Sequence, residues 1–207
     1  FFYFKESFLN HFTSTKDKQN NKNVILYEKP SFYGNLKVVG LKPHNQNKIT
    51  QYVLYQNGLS QNGMDSNGHS IFEFTHVLDV LSQPSTIGNA LVLGLGAGVL
   101  PAKLSSKGFK IDAVDIDPIT LDIAENFFRY KPKNTSFSFE DARTYVKKCE
   151  KKYDLIILDL FFADGVPEHL TTNEFYKNLD NCLNENGVIL SNSLMDFSNK
   201  LALNSVL

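Results

Sequence analysis

The sequence predicts an α/β protein: a mostly parallel β-sheet covered by helices on both faces, preceded by a small antiparallel β unit. Three observations carry this. From Ala90 onward short apolar runs alternate with helical segments, the pattern of right-handed βαβ units. Between Val24 and Tyr55, strand-like runs are instead divided by turn residues with no helix between them. And the apolar run Ala90 to Leu93 enters a glycine-rich turn, while acids stand at the ends of the runs that follow.

Taken in order, residues 1 to 23 close on the polar stretch Lys16 to Asn23, which has no periodicity and reads as an arm or linker. Residues 24 to 64 form the small β unit, with strands over Val24 to Tyr27, Asn35 to Val39 and Ile49 to Tyr55, and a turn at Asn57-Gly58. Residues 65 to 207 form the larger unit. Its first helix opens on the capping box Ser70-x-x-Glu73, carries Ile71, Phe74, Leu78 and Leu81 on one face, and is closed by Pro84.

Strands then follow at Ala90 to Leu93, Lys110 to Val114, Ser136 to Phe139, Tyr153 to Leu158 and Val188 to Ser191. Between them lie helices at about Leu100 to Lys107, Pro118 to Phe128, Ala142 to Cys149 and Thr172 to Leu183. Asp117 before Pro118 and a Thr171-x-x-Glu174 capping box set two helix starts, and Gly187 suits the end of the last helix.

Composition narrows the function. The 207 residues carry 21 Lys+Arg against 22 Asp+Glu, so no basic field exists to gather nucleic acid or anionic lipid. The apolar runs fall short of the roughly 18 residues that a membrane-spanning helix requires, and the start Phe1 to Phe4 is too short for a signal core. Cys149 and Cys182 have no metal-ligand spacing, so no metal is expected and a reduced, cytoplasmic chain is the simplest reading; Cys182, at helical spacing from Phe175 and Leu179, fits a core position. The chain begins with Phe1 rather than Met and ends one short helix beyond Val188 to Ser191. It is therefore expected to be part of a longer protein, incomplete at its C-terminal end, and an upstream membrane segment stays open.

The chemistry gathers at the carboxyl ends of the strands. Gly94-Leu95-Gly96-Ala97-Gly98 follows the first strand of the larger unit; glycines there let the backbone bend and a ligand approach. Val99 stands where a dinucleotide fingerprint needs Gly or Ala, which weakens a nicotinamide cofactor. Asp115, 21 residues after Gly94, ends the next strand, where a carboxylate can accept both hydroxyls of a ribose. Asp117 nearby fits a helix cap. Asp141, followed by Ala142, stands over the same edge and has two readings, acceptor for the exocyclic amine of adenine or cap of the next helix. Asp159 ends the fourth strand, facing the crevice in which open α/β sheets bind ligands.

From about Val24 to Ser193 the chain resembles the polyamine aminopropyltransferases, the spermidine synthase family, in its divergent spermidine-synthase-like branch. The resemblance rests on Glu28-x-x-Ser31-x-Tyr33-Gly34-x-Leu36-x-Val38, on Leu54-x-x-Asn57-Gly58-x-x-Gln61, and on the order of the Gly94 turn, Asp115, Asp141 and Asp159. It implies a small β domain on a Rossmann-like sheet that binds S-adenosyl compounds, with decarboxylated S-adenosylmethionine as aminopropyl donor. It also implies an amine acceptor such as putrescine, no tightly bound cofactor, and a homodimer. By motif match Gln61 would touch the donor's methionine-derived tail, Asp115 the ribose and Asp141 the adenine.

The departures bear on the chemistry. Ala97 replaces the acid of the family's glycine turn, Ile71-Phe72-Glu73 keeps only the acid of its Tyr-His-Glu segment, and Phe162 stands where a second Asp of the loop after Asp159 belongs. A carboxylate binds a cationic amine and takes its proton, and a Phe does neither. Asp159 and, from a displaced loop position, Asp164 are the candidate catalytic acids, while His169 is either an acid-base group or a solvated loop residue. Three readings compete: an aminopropyltransferase, an S-adenosylmethionine-dependent methyltransferase on the same sheet, and a non-catalytic binding protein that kept the fold.

Overall fold

The computed structural model describes residues 21–82, 87–161 and 165–192. The expected arm up to residue 20, Pro84, and both Phe162 and Asp164 lie outside the described residues.

Two sheets form. The first is an antiparallel meander of β1 (Asn21–Ser31), β2 (Gly34–Pro43), β3 (Gln51–Gln56) and β4 (Leu59–Asp65), in that spatial order. Strand β1 starts at Asn21, because Asn21 to Asn23 pair with Leu41 to Pro43 at the far end of β2. Asn57 and Gly58 adopt φ of 51° and 84°, making the predicted two-residue turn between β3 and β4. Strand β4 was not foreseen; its run Leu-Ser-Gln-Asn-Gly-Met-Asp lacks the apolar alternation by which a half-buried strand is read.

The second sheet is parallel throughout, with β5 (Asn89–Leu93), β6 (Lys110–Asp115), β7 (Thr135–Phe139), β8 (Tyr153–Leu158) and β9 (Leu183–Ser191) in the order β7-β6-β5-β8-β9. Helices α1 (Glu73–Leu81), α2 (Val99–Ser106), α3 (Ile119–Phe127), α4 (Ala142–Lys147) and α5 (Asn173–Cys182) accompany it. The period of two along each strand divides the core. Ala90 and Val92 of β5 face Leu100 and Leu104 of α2 and Ala124 of α3, whereas Leu91 and Leu93 face Val146 of α4 and Phe175 and Leu179 of α5. A third cluster joins the sheets: Leu36, Val38, Leu54 and Met64 pack against Ala97, Val99, Ile123 and Phe128. Burying each of these side chains other than Ala97 contributes about 2 kcal/mol.

Three local expectations need correction. Ser70 does not cap α1: its Oγ accepts the Phe72 N–H, its backbone bridges to Met64, and Phe72 is the residue that precedes the helix. Strand pairing therefore uses the residue that the capping box required. Thr172 rather than Thr171 caps α5, accepting the Phe175 N–H, while the Thr171 hydroxyl donates to Glu168 O. Gly187 does not end that helix but lies inside β9, where an added Cβ would stand 2.9 Å from the Tyr153 carbonyl oxygen. The pairing of β8 with β9 slips at this point, and the extra residues bulge out between Leu183 and Val188.

Candidate functional site

The sheet order places the site. The chain runs β5, β6, β7 outward to one side and then returns to lay β8 on the other side of β5, so the switch point at which open α/β sheets form their binding crevice lies between the carboxyl ends of β5 and β8. Backbone bonds lace this edge one residue past the strands. Gly94 N–H donates to Val114 O at 2.8 Å, Asp159 N–H to Leu93 O at 2.8 Å, Glu140 N–H to Asp115 O at 3.1 Å and Asn192 N–H to Leu158 O at 2.8 Å.

Gly94 has φ of +96°, and a Cβ there would overlap the carbonyl oxygen of Asp159. Glycine is thus required both by the turn and by the close passage of β8's end. The turn continues through Gly96 at φ +53°, beside the Asn62 side chain, and Gly98 at φ +71°. The space at Gly98 is taken by the Tyr130 ring and the Ala124 methyl, so this glycine serves packing.

Asp115 and Asp159 flank the turn. Asp115 Oδ2 accepts the Leu95 N–H at 2.8 Å and Oδ1 the Asp117 N–H at 2.9 Å. A carboxylate offers about four lone-pair positions, so these two bonds fix the group and leave capacity for two ribose hydroxyls. Burial pushes its pKa up, against the pull of the N–H groups of Asp117, Leu95 and Gly96. Asp159 Oδ1 accepts from Asn192 Nδ2 at 2.8 Å. Its pKa is pushed up to about 6, by burial first and by the charge of Asp115 as well, with Asn192 opposing. Asp117 is 4% exposed, and its Oδ1 accepts the Ile119 N–H; the residue that directly precedes α3 is Pro118, so Asp117 holds the approach to the helix rather than its cap position.

Asp141 caps α4 through Oδ1, which accepts the Thr144 N–H at 3.0 Å, and meets His169 Nε2 through Oδ2 at 2.9 Å. Burial works against ionisation here, but His169 and Thr144 hold the carboxyl below its ordinary value. Ala142 turns its side chain into the second core cluster. Gln61 is the extra residue of a bulge, since Leu54 pairs with Asn62 and Tyr55 with Ser60. Bulges of this kind re-aim a side chain, and the next residue, Asn62, lies against the glycine turn.

The structure thus gathers Gly94, Gly96, Asp115 and Asp159 at one sheet edge, with Asp141 just beyond the adjoining strand end, while Gln61 is brought no nearer than the strand whose next residue, Asn62, lies beside Gly96. Three neighbours were missed from sequence: Asn62, Asn192, and the pairing of His169 with Asp141. Asn192 follows the apolar run of β9, so the rule that ligands meet strand carboxyl ends could have flagged it. Ala97 is fully buried in the third core cluster, where an acid would lose its hydration. Among the described residues no His, Cys, Asp and Glu cluster suits a metal ion, and no helix is long and apolar enough to cross a membrane.

Comparison with known proteins gives the family. Residues 77–205 match the spermine/spermidine synthase domain. A polyamine aminopropyltransferase of Vibrio vulnificus is 38% identical over 109 residues, which are 50% of this chain and 36% of that protein. An N-terminal histidine N-methyltransferase of Emericella nidulans is 38% identical over 115 residues, 53% of this chain and 20% of that protein. The chain therefore spans well under half of these relatives. Spermidine synthase from Thermotoga maritima shares the fold with a TM-score of 0.67 at 17% identity, over 88% of this chain and 62% of its own. With a matching domain over more than half its length, the chain belongs to the spermine/spermidine synthase family.

Proposed function

We propose that this chain is a transferase that moves the aminopropyl group of decarboxylated S-adenosylmethionine to an amine acceptor such as putrescine. The observation that carries the reading is Asp159, an acid whose pKa is raised to about 6, beside a glycine turn and a ribose-competent Asp115. A base that titrates near neutrality can both take a proton from an ammonium and remain ionised often enough to do so.

In this reading Asp115 holds the ribose hydroxyls and the Gly94 to Gly98 turn lets the nucleoside lie against the backbone. Gln61 meets the aliphatic tail, and Asp141 with the Ala142 backbone faces the adenine. Asp159 takes a proton from the acceptor's ammonium. The freed nitrogen lone pair then attacks the methylene next to the sulfonium; the C–N bond forms, the C–S bond breaks, and sulfur keeps the electron pair as a neutral thioether. Positioning the two reactants supplies much of the acceleration. Asp164, five residues on in the sequence, is assigned to the acceptor's second cation.

A second reading, methyl transfer from S-adenosylmethionine, is favoured by one observation: Ala97 sits in the core where the family's acid would meet the donor's amine. The two are separated by a mass-spectrometric product assay with both donors and a panel of amines. Aminopropylated product from the decarboxylated donor supports the proposal. Methyl transfer from the carboxylated donor alone overturns it, and turnover of neither points to a binding protein. Asp115→Ala is expected to weaken binding of methylthioadenosine at least about tenfold, the scale of a lost charge-assisted bond, measured by calorimetry.

A further inference from the structure

Cys149 and Cys182, distant in sequence, meet at the amino end of the parallel sheet, away from the crevice. Cys182 ends α5, and the next residue, Leu183, pairs with Tyr153 at the start of β8. Cys149 lies between the end of α4 and that same Tyr153. Their bonds converge on one atom: the Val146 carbonyl oxygen accepts the Cys149 N–H at 3.3 Å and the Cys182 thiol at 3.7 Å. The two thiols also stand within hydrogen-bonding reach of each other. Their accessibility differs. Cys149 is half-buried and lines a surface cavity of about 260 Å³ with Tyr145 and Lys151, and its thiol donates to the Lys151 carbonyl at 3.1 Å. Cys182 is 0% exposed, inside the second core cluster against which Cys149 packs. Burial, and then the neighbouring Cys149 thiol, push the pKa of Cys182 up, so it stays a protonated thiol at neutral pH and a poor target for an oxidant. One open thiol with a second held behind it is the arrangement of a reactive cysteine and its resolving partner.

We propose that Cys149 and Cys182 form a reversible disulfide in response to a hydroperoxide, joining the ends of α4 and α5. This modification site is separate from the nucleoside edge and does not depend on which donor binds there. The Cys149 sulfur attacks one peroxide oxygen; the S–O bond forms, the O–O bond breaks, and with hydrogen peroxide the other oxygen leaves as water, leaving Cys149 a sulfenic acid. The Cys182 sulfur then attacks the Cys149 sulfur. The S–S bond forms, the S–O bond breaks, and the hydroxyl departs as water with the Cys182 thiol proton. Both sulfurs are oxidised and the peroxide is reduced. The new bond would be the second tie between these helices. Arg143 Nη1 of α4 already holds the other end, donating to the Thr172 hydroxyl that caps α5 at 3.3 Å and to the His169 carbonyl at 2.9 Å.

The test is treatment of the folded, fully reduced chain with a small excess of hydrogen peroxide, followed by thiol titration and peptide mapping without reductant. Both thiols should disappear together, Cys149 and Cys182 should appear in one linked peptide from a single chain, and dithiothreitol should return both. Cys149→Ser should keep its Cys182 thiol through the same treatment. Cys182→Ser should carry Cys149 on to the sulfinic acid, which dithiothreitol does not reverse. Circular dichroism checks that the variants fold, and the wild-type map decides the question even where a variant does not. In folded wild type, a Cys149 sulfinic acid in place of the linked peptide, a disulfide that joins two chains instead, or two thiols that survive the peroxide each overturn the proposal. A folded Cys149→Ser chain that loses its Cys182 thiol as fast as wild type overturns it too.

Discussion

Replacing Asp159 by Asn should stabilise the ligand-free chain at neutral pH while having little effect in acid. The folded-state pKa of Asp159 is raised to about 6 from an ordinary 3.8. A carboxyl raised in the folded state favours folding when protonated; that contribution is complete below about 4 and is lost as pH rises through about 6. A shift of about two units corresponds to at most about 3 kcal/mol. In urea unfolding followed by circular dichroism between pH 4 and 8, the stability of Asp159→Asn relative to wild type should therefore climb by about 2–3 kcal/mol. The difference isolates this group, because Asp141 and Asp79, whose pKa values are lowered, titrate in both proteins. The Asn192 amide can still donate to the new side chain. Asp115 loses a neighbouring charge in the variant, which can only ease its ionisation. Two parallel stability profiles would refute the reasoning, and so would a variant whose deficit grows with pH.

Two further substitutions probe the scaffold. Gly94→Ala adds a Cβ at φ +96° against the Asp159 carbonyl and should cost about 2 kcal/mol or more, seen as a thermal midpoint lowered by about 4–8 °C. Tyr153→Phe removes a hydroxyl that donates to Asp112 at 2.7 Å and meets the Tyr145 hydroxyl at 2.9 Å, at the opposite end of β8 from the crevice. Its expected cost is about 1–3 kcal/mol, and a double-mutant cycle with Asp112→Asn should show coupling, since Lys151 and Tyr153 share one carboxylate oxygen.

The parallel sheet was legible because each of its buried strands is an apolar run, and Tyr153 to Leu158 coincides with β8 residue for residue. The glycine turn, Asp115 and Asp159 were legible because strand ends are where open sheets act. What escaped depended on partners distant in sequence. Ser70 looked like a helix cap and became a sheet residue because Met64 pairs with it. Gly187 read as the end of the last helix, yet the run Asn184 to Gly187 is drawn into β9, where the Asn184 amide donates to Asp154. The site lost its finest detail in the same way. The meeting of His169 with Asp141 spans 28 residues, and nothing local in either segment announces it.

The third core cluster gives the glycine turn two masters. Gly94 and Gly96 answer to the crevice, but Ala97 and Val99, one step further on, are anchored among Leu36, Val38, Leu54 and Met64 of the antiparallel sheet. The meander is therefore a keystone behind the loop that would carry the nucleoside, and loosening it would be felt at the crevice without a single crevice residue being altered. Solvent-exchange protection of the Leu95 and Gly96 amides would rise and fall with the integrity of a sheet that contributes only its flank to the site.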